Sequence, residues 1–292
     1  MNVLVIGGSG FIGNEVTKIL QSKCKLTNIY RNKNNNLQNN INNIFLNRKD
    51  IANFRKHFQK KSFDAIIDFS AFTAKDIELT SSIVSTSHYI LISSSAVYGK
   101  KNSCFVNEKA QLSHAENHKY AYNKIQTENF LQQTHLTYSI IRPAIVYGKN
   151  DSNPTRGKYF FEQIHANKII IPGMLDVKNN YIHVYDLADL IVKCLFSKHK
   201  NNIINAGGPI FNWQTYLQNI AEINKVSLPE IACLNLSLPN YRVYAKKNKF
   251  HFPHNAFHNF VVNSDYAKTL YNWQPQMSLY KGLSNIKNWA IS

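Results

Sequence analysis

Four cysteines among 292 residues are too few and too scattered for a disulfide framework or a metal cage. Cys24, Cys104, Cys194 and Cys233 form no Cys-x-x-Cys pair and have no histidine at ligand spacing. They are expected to be reduced thiols in the interior, and no metal site is expected. Long apolar runs are also missing. No stretch reaches the roughly eighteen residues of a membrane helix, so no membrane partner is expected. The start, Met1-Asn2-Val3-Leu4-Val5-Ile6-Gly7, lacks the basic opening and small-residue cleavage site of a signal peptide, which predicts a soluble cytoplasmic protein. Acids are scarce: 17 Asp and Glu face 34 Lys and Arg, for a formal charge of +17. Such an excess suits nucleic acid, an anionic surface or a phosphorylated substrate, but no block of five or six like charges occurs. The densest basic run, Arg242 to His251, interleaves Lys246, Lys247 and Lys249 with Tyr244 and Phe250 and reads as a solvated face. Charge alone decides nothing.

What is present is an alternation. Short apolar runs at Val3 to Ile6, Leu26 to Tyr30, Ala65 to Phe69, Tyr89 to Ser93 and Tyr138 to Arg142 are bounded by Gly, Asp, Ser or Pro. Helix-length stretches, Ile12 to Ser22, Ala74 to Ser85 and Tyr120 to Thr134, lie between them. The asparagine-rich segment Asn32 to Asn43 reads as a surface loop. Strand and helix in alternation predict right-handed crossovers and an α/β fold, a Rossmann-type doubly wound parallel sheet. After about Pro143 the regularity weakens, and Asn212 to Ile223 and Tyr266 to Trp273 read as separate helices. The expected division is a dinucleotide-binding domain over 1–150. Residues 151–292 are then mainly a small C-terminal substrate lobe, with segments returning to the first domain.

The first strand runs into Gly7-Gly8-Ser9-Gly10-Phe11-Ile12-Gly13 and then a helical pattern. Gly7 permits the tight turn, Gly10 lets the backbone approach a pyrophosphate, and Gly13 lets helix and strand pack closely. Ser9, Phe11 and Ile12 lie in the same turn, where the helix N-terminus offers free N–H groups to phosphate. Strand, turn and helix in this order predict dinucleotide binding. The second strand ends at Tyr30-Arg31, where an NAD-selective site places an acid for the ribose hydroxyls. Arg31 suits a 2′-phosphate instead, which favours NADP over NAD, with Lys33 beside it. Asp50-Ile51 follows the third apolar run, with Asp50 a candidate for the adenine amine. Ser70 and Ala71 end the fourth strand and leave room for the cofactor.

Ser93-Ser94-Ser95-Ala96-Val97-Tyr98-Gly99 ends the fifth strand, and Tyr120-Ala121-Tyr122-Asn123-Lys124 opens a helix. Tyr120 and Lys124 share one helical face and can point at one site. An ammonium beside a phenol stabilises the phenolate and lowers a pKa that is otherwise about 10. Tyr122 competes for the role, but four residues on it meets Gln126, which brings no charge.

Together these residues resemble the extended short-chain dehydrogenase/reductase family, its NAD-dependent epimerase/dehydratase group. The resemblance continues through Glu128, Ile141-Arg142-Pro143-Ala144-Ile145-Val146-Tyr147-Gly148, Ile182-His183-Val184-Tyr185-Asp186-Leu187-Ala188, Asn205-Ala206-Gly207-Gly208, Asp265-Tyr266-Ala267-Lys268, Trp273-Gln274-Pro275 and Gly282. It implies a catalytic set of a serine, Tyr120 and Lys124. Counted back from Val97-Tyr98-Gly99, the serine is Ser94, with Ser95 the adjacent alternative. It implies that Pro143 begins the segment lining the nicotinamide, and that the C-terminal lobe binds a nucleotide sugar. Arg156, Lys158 and Arg242 are candidates for the diphosphate. Dehydratases of the family carry an acid beside the serine, whereas here Ser95 and Ala96 follow. The expectation is therefore an NAD(P)-dependent epimerase or 4-keto reductase acting on a nucleotide-linked sugar, and a homodimer is compatible with it. Arg31 and Arg48-Lys49-Asp50 also resemble the chloroplast stem-loop-binding subgroup, which makes RNA the alternative partner.

Overall fold

The computed structural model describes residues 1–31, 38–99, 105–113, 118–151, 153, 158–166 and 168–291. Seven strands form its central sheet: β1 (Asn2–Ile6), β2 (Lys25–Tyr30), β3 (Asn42–Phe45), β4 (Ala65–Asp68), β5 (Tyr89–Ile92), β6 (Tyr138–Pro143) and β7 (Asn202–Ala206). Their order across the sheet is β3-β2-β1-β4-β5-β6-β7, and every pairing is parallel. This is the doubly wound arrangement. The order reverses between β1 and β4, and a crevice opens beyond their carboxyl ends. The asparagine-rich segment is not all loop. Asn42 and Asn43 begin β3, where the Asn28 side-chain amide in β2 donates to the Asn43 Oδ1 at 2.9 Å and so pairs polar side chains across the edge strands.

A parallel sheet buried on both faces needs apolar residues at successive positions, and β1 supplies them. Val3 and Val5 face one way, onto Val16 and Leu20 of α1 (Phe11–Leu20) and onto Leu187, Ile191 and Leu195 of the helix Val184–Phe196. Leu4 and Ile6 face the other way, onto Phe54 and Phe58 of α2 (Ile51–Phe58), Ile77 of α3 (Ala74–Ser81) and Leu131 of α4 (Lys119–Gln133). The helix Val184–Phe196 and β7 both return from the second half of the chain to complete the three layers.

The second lobe has a core of its own. Short strands Ile145–Tyr147, Asn179–His183 and Ile210–Phe211 form a small sheet, and Lys168–Ile171 pairs with Glu230–Cys233. Between them and the helices Trp213–Asn224 and Leu279–Ala290 lies a cluster dominated by rings, including Phe160, Tyr181, Phe211, Trp213, Tyr216 and Phe252. The helix Leu238–Asn248 carries the basic run and buries no residue. Cys194 is buried, Cys24 and Cys233 are half-buried, and all three are free thiols. Cys104 lies outside the described residues. No helix is long and apolar enough to cross a membrane among the described residues.

Candidate active site

A cleft of about 1750 Å³ runs along the carboxyl edge of the sheet and under the second lobe. That volume exceeds a typical single-ligand pocket of roughly 300–1,000 Å³, so two ligands fit end to end. The middle of its floor is the glycine turn at the end of β1. Gly7 sits at φ +87°, a conformation costly for any residue with a Cβ. A Cβ on Gly13 would lie 2.5 Å from the Gly7 carbonyl oxygen, so the helix can approach the strand this closely only with glycine there. Gly10 is the N-cap of α1 and makes no side-chain cap bond, and the first turn carries no acid. The first-turn N–H groups have no intrahelical partner, and Gly10, Phe11, Ile12 and Gly13 line the cleft. Donors and dipole thus meet there as a pyrophosphate requires. Ser9 lines the cleft as well. Asn28 was not anticipated: its Oδ1 accepts from the Gly8 N–H at 3.0 Å and braces the turn from β2.

At one end the cleft is cationic. Arg31 and Lys49 line it, both exposed, beside Leu46 and Asn47. Asp50 and Ile51 are not among the lining residues. The Asp50 carboxylate caps α2, accepting from the Asn53 N–H at 3.2 Å and its amide at 2.7 Å, and Ile51 is exposed. Asn47 therefore stands at the wall where Asp50 was expected. Ser70 lines the cleft, while Ala71 is fully buried behind it.

Ser94, Ser95, Tyr120, Lys124 and Pro143 all come to the other end of the floor. Of the three serines, Ser93 is buried and donates to Glu128. Ser94 caps the short turn Ser95–Tyr98, its Oγ accepting from the Ala96 N–H at 3.2 Å. Tyr120 reaches the cleft wall, whereas Tyr122 on the same helix does not line it. Lys124 is 2% exposed, and its ammonium donates to the carbonyls of Ala71 (2.9 Å) and Ile92 (2.8 Å). Burial pushes its pKa down to about 8, opposed by the carboxylates of Asp68, Glu128 and Asp76 and reinforced by Arg48.

Much of what the sequence offered as motif is the support for this site. Arg142 forks onto Glu128, with Nε 3.1 Å from both carboxylate oxygens and Nη2 2.5 Å from Oε2. Its Nη1 donates to the Tyr98 hydroxyl at 3.1 Å, and that hydroxyl donates to Asn205 at 2.6 Å. One buried network therefore joins the serine loop, α4, β6 and β7. Burial raises the Tyr98 pKa and keeps the phenol neutral. Asp186 works similarly at a distance, accepting from the Gln276 and Met277 N–H groups.

The second lobe forms the opposite wall with Leu238, Tyr241, Arg242, Phe252, His254 and Phe257 among others. Arg242 is exposed and faces the cleft from an otherwise solvated helix. Lys158 stands over the Trp289 ring, 4.8 Å from its centre, and is not among the lining residues. Arg156 lies outside the described residues, as does Lys33. His254 stacks on Phe160, is 2.8 Å from the Tyr181 hydroxyl, and is pushed down to about 3 by burial and by nearby His251.

A parallel sheet wound on both sides and a glycine turn at its switch point define a dinucleotide-binding type of scaffold, with Ser94, Tyr120 and Lys124 lining one end of its cleft. The family model of the NAD dependent epimerase/dehydratase family matches residues 3–85 and 77–207. The chain belongs to the NAD-dependent epimerase/dehydratase family. Among curated proteins it is similar to the chloroplast stem-loop binding protein of 41 kDa b of Arabidopsis thaliana. The identity is 25% over 98% of this chain and 78% of that one. Among solved structures it is similar to the UDP-glucose 4-epimerase of Thermotoga maritima, with TM-score 0.76, 19% identity and coverage of 99% and 98% of the two chains. The UDP-N-acetylglucosamine 4-epimerase of Methanobrevibacter ruminantium is as close, at TM-score 0.77 and 19% identity over 99% and 98%. A UDP-glucuronic acid 4-epimerase of Bacillus cereus, solved with NAD, gives 0.76 and 18% over 99% and 96%.

Proposed function

We propose that the protein is a nicotinamide-dependent epimerase or 4-keto reductase acting on a nucleotide-linked sugar. The observation that carries the reading is a single cleft lined by Ser94, Tyr120 and Lys124 at one end and by the glycine turn at its middle. When bound, the nicotinamide cofactor supplies a hydride acceptor and donor. The chain supplies the rest. Ser94 orients the substrate oxygen, Tyr120 takes or gives its proton, and the Lys124 ammonium favours the phenolate. Lys124 must be charged for this, so turnover falls as pH rises through about 8. Arg31 and Lys49 favour the extra phosphate of NADP over NAD, because no free carboxylate faces the ribose end of the cleft among its lining residues. Arg242, with Tyr241 and Phe257, suits the diphosphate and base of the substrate.

Tyr120→Phe tests the chemistry. It is expected to lower turnover of UDP-hexoses about a hundredfold or more while leaving NADP(H) affinity within about twofold. Full activity in that variant removes the assignment. Arg31→Asp is expected to move preference toward NAD, and an unchanged ratio removes Arg31 from the ribose site. The likeness to a stem-loop binding protein, together with the +17 charge, supports RNA as a second reading. That reading predicts binding that weakens steeply with salt and needs no cofactor.

A further inference from the structure

Between the end of β4 and the start of α3 the backbone is tied down residue by residue to one buried cluster of charge. Arg48 is 6% exposed, and its Nη1 donates to Asp68 and, at 3.3 Å, to the Thr80 hydroxyl. Its Nη2 donates to the Ser70 carbonyl at 2.7 Å and lies 3.6 Å from Asp76. Asp68 also accepts from the Ser70 N–H at 2.8 Å and from the Tyr89 hydroxyl at 2.6 Å. Asp76 accepts from the N–H groups of Phe72 (3.0 Å) and Thr73 (2.9 Å). Ser70, Phe72 and Thr73 are thus each held by a member of the cluster. Between them sits Ala71, whose carbonyl receives the Lys124 ammonium, and the Phe72 ring lies 5.2 Å from that same ammonium.

A buried ion pair rarely adds net stability over apolar packing of the same volume, so stability alone is a weak reason for this cluster. Its location supplies a stronger one, because Arg48, Asp76 and Lys124 all line the cleft. We propose that Arg48 is a positioning residue for Lys124. By binding Asp68, Asp76 and the Ser70 carbonyl together, it fixes the Ala71 carbonyl and the Phe72 ring that hold the lysine ammonium at the site. The inference rests on Lys124 being the lysine that serves Tyr120. The charged groups around Lys124 are Asp68 from β4, Asp76 from α3, Glu128 from its own helix, and Arg48. Glu128 is already committed to Arg142. Loss of Arg48 therefore uncovers two carboxylates and removes one cation, which favours the protonated lysine. The loosened Ala71 carbonyl acts the other way but is the weaker effect, because it is one neutral acceptor and the Ile92 carbonyl stays in place.

The test follows the Lys124 ammonium directly, by NMR titration of the full chain carrying ¹³C-labelled lysine, with the resonance assigned by its loss in Lys124→Arg. In Arg48→Gln the titration is expected to move up by about one pH unit or more, and Arg48→Lys is expected to recover at least half of that shift. A folded Arg48→Gln protein whose Lys124 titrates as in the parent overturns the proposal, since a merely structural arginine leaves that value alone. If Arg48→Gln does not fold, Asp76→Asn decides. It loosens the Phe72 and Thr73 ties and removes a facing carboxylate, so Lys124 is expected to titrate lower, and an unchanged titration overturns the proposal. No substrate enters this experiment. A chain that shows the shift but turns over no nucleotide sugar keeps the inference and loses the functional reading.

Discussion

On the sheet side of the cleft the core is aliphatic, with Val3, Val5, Ile67, Ile90 and Ile141 facing one helical layer and Leu4, Ile66 and Leu91 the other. On the facing side Tyr159, Phe160, Tyr181, Trp213 and Phe252 surround a buried His254. The contrast follows from geometry. Long parallel strands covered on both faces are filled by β-branched and aliphatic side chains that stand on the pleat. Strands of two to five residues, divided among separate small sheets, leave wide irregular gaps, which large rings in edge-to-face contact fill with few residues. The second lobe is therefore held by a handful of large side chains, and the sheet by many small contributions.

Four measurements sharpen this contrast. Trp213, fully buried, touches Phe160, Phe211 and Tyr216, and Trp213→Ala is expected to destabilise the protein by about 4 kcal/mol in denaturant titrations. Gly13→Ala places a methyl against the Gly7 carbonyl and is expected to cost about 3 kcal/mol of dinucleotide binding, roughly a hundredfold by calorimetry. His254 is held neutral down to about pH 3, whereas the unfolded chain takes up its proton near the ordinary value of 6.5. Its contribution is present above pH 6.5 and is lost as pH falls toward 3, by about 2 kcal/mol at pH 5. Melting curves of His254→Phe should show a shallower acid slope than the parent, and an identical slope would remove His254 as its cause. The smallest effect belongs to the sheet. Ile67→Val removes one methylene from a dense aliphatic layer and is expected to cost about 1 kcal/mol.

The strands and helices of the first half were legible because each announces itself locally. Runs of Val and Ile end at Gly, Asp or Ser, and Tyr120 with Lys124 share one face of α4 whatever surrounds them. Arg31, Ser94, Ser95 and the glycine turn were named from equally local signals, and all of them line the cleft. Asp50 could not, since an acid after a strand serves equally well as a helix cap or as a ligand, and here the adjacent Asn53 engages it. The second lobe was less readable. The helix Leu238–Asn248 looked like solvated surface, which it mostly is; Arg242 was one of three diphosphate candidates, but nothing local preferred it to Lys158 or marked Tyr241 beside it as facing the cleft.

What the amino-acid order determined by itself is the periodic part: the strand and helix sequence, the turn that needs glycine, and the spacing that puts a phenol and an ammonium on one face. Hydrogen-bonding period and side-chain branching act over a few residues, so they can be read from a few residues. The meeting of Arg48 with Asp68 and Asp76, of Arg142 with Tyr98 and Asn205, and of Arg242 with the glycine turn's cleft was decided by the tertiary structure. Those residues are far apart in the chain, and only burial makes their pairing obligatory, because a charge or hydroxyl removed from water must find its partner wherever the fold has carried it.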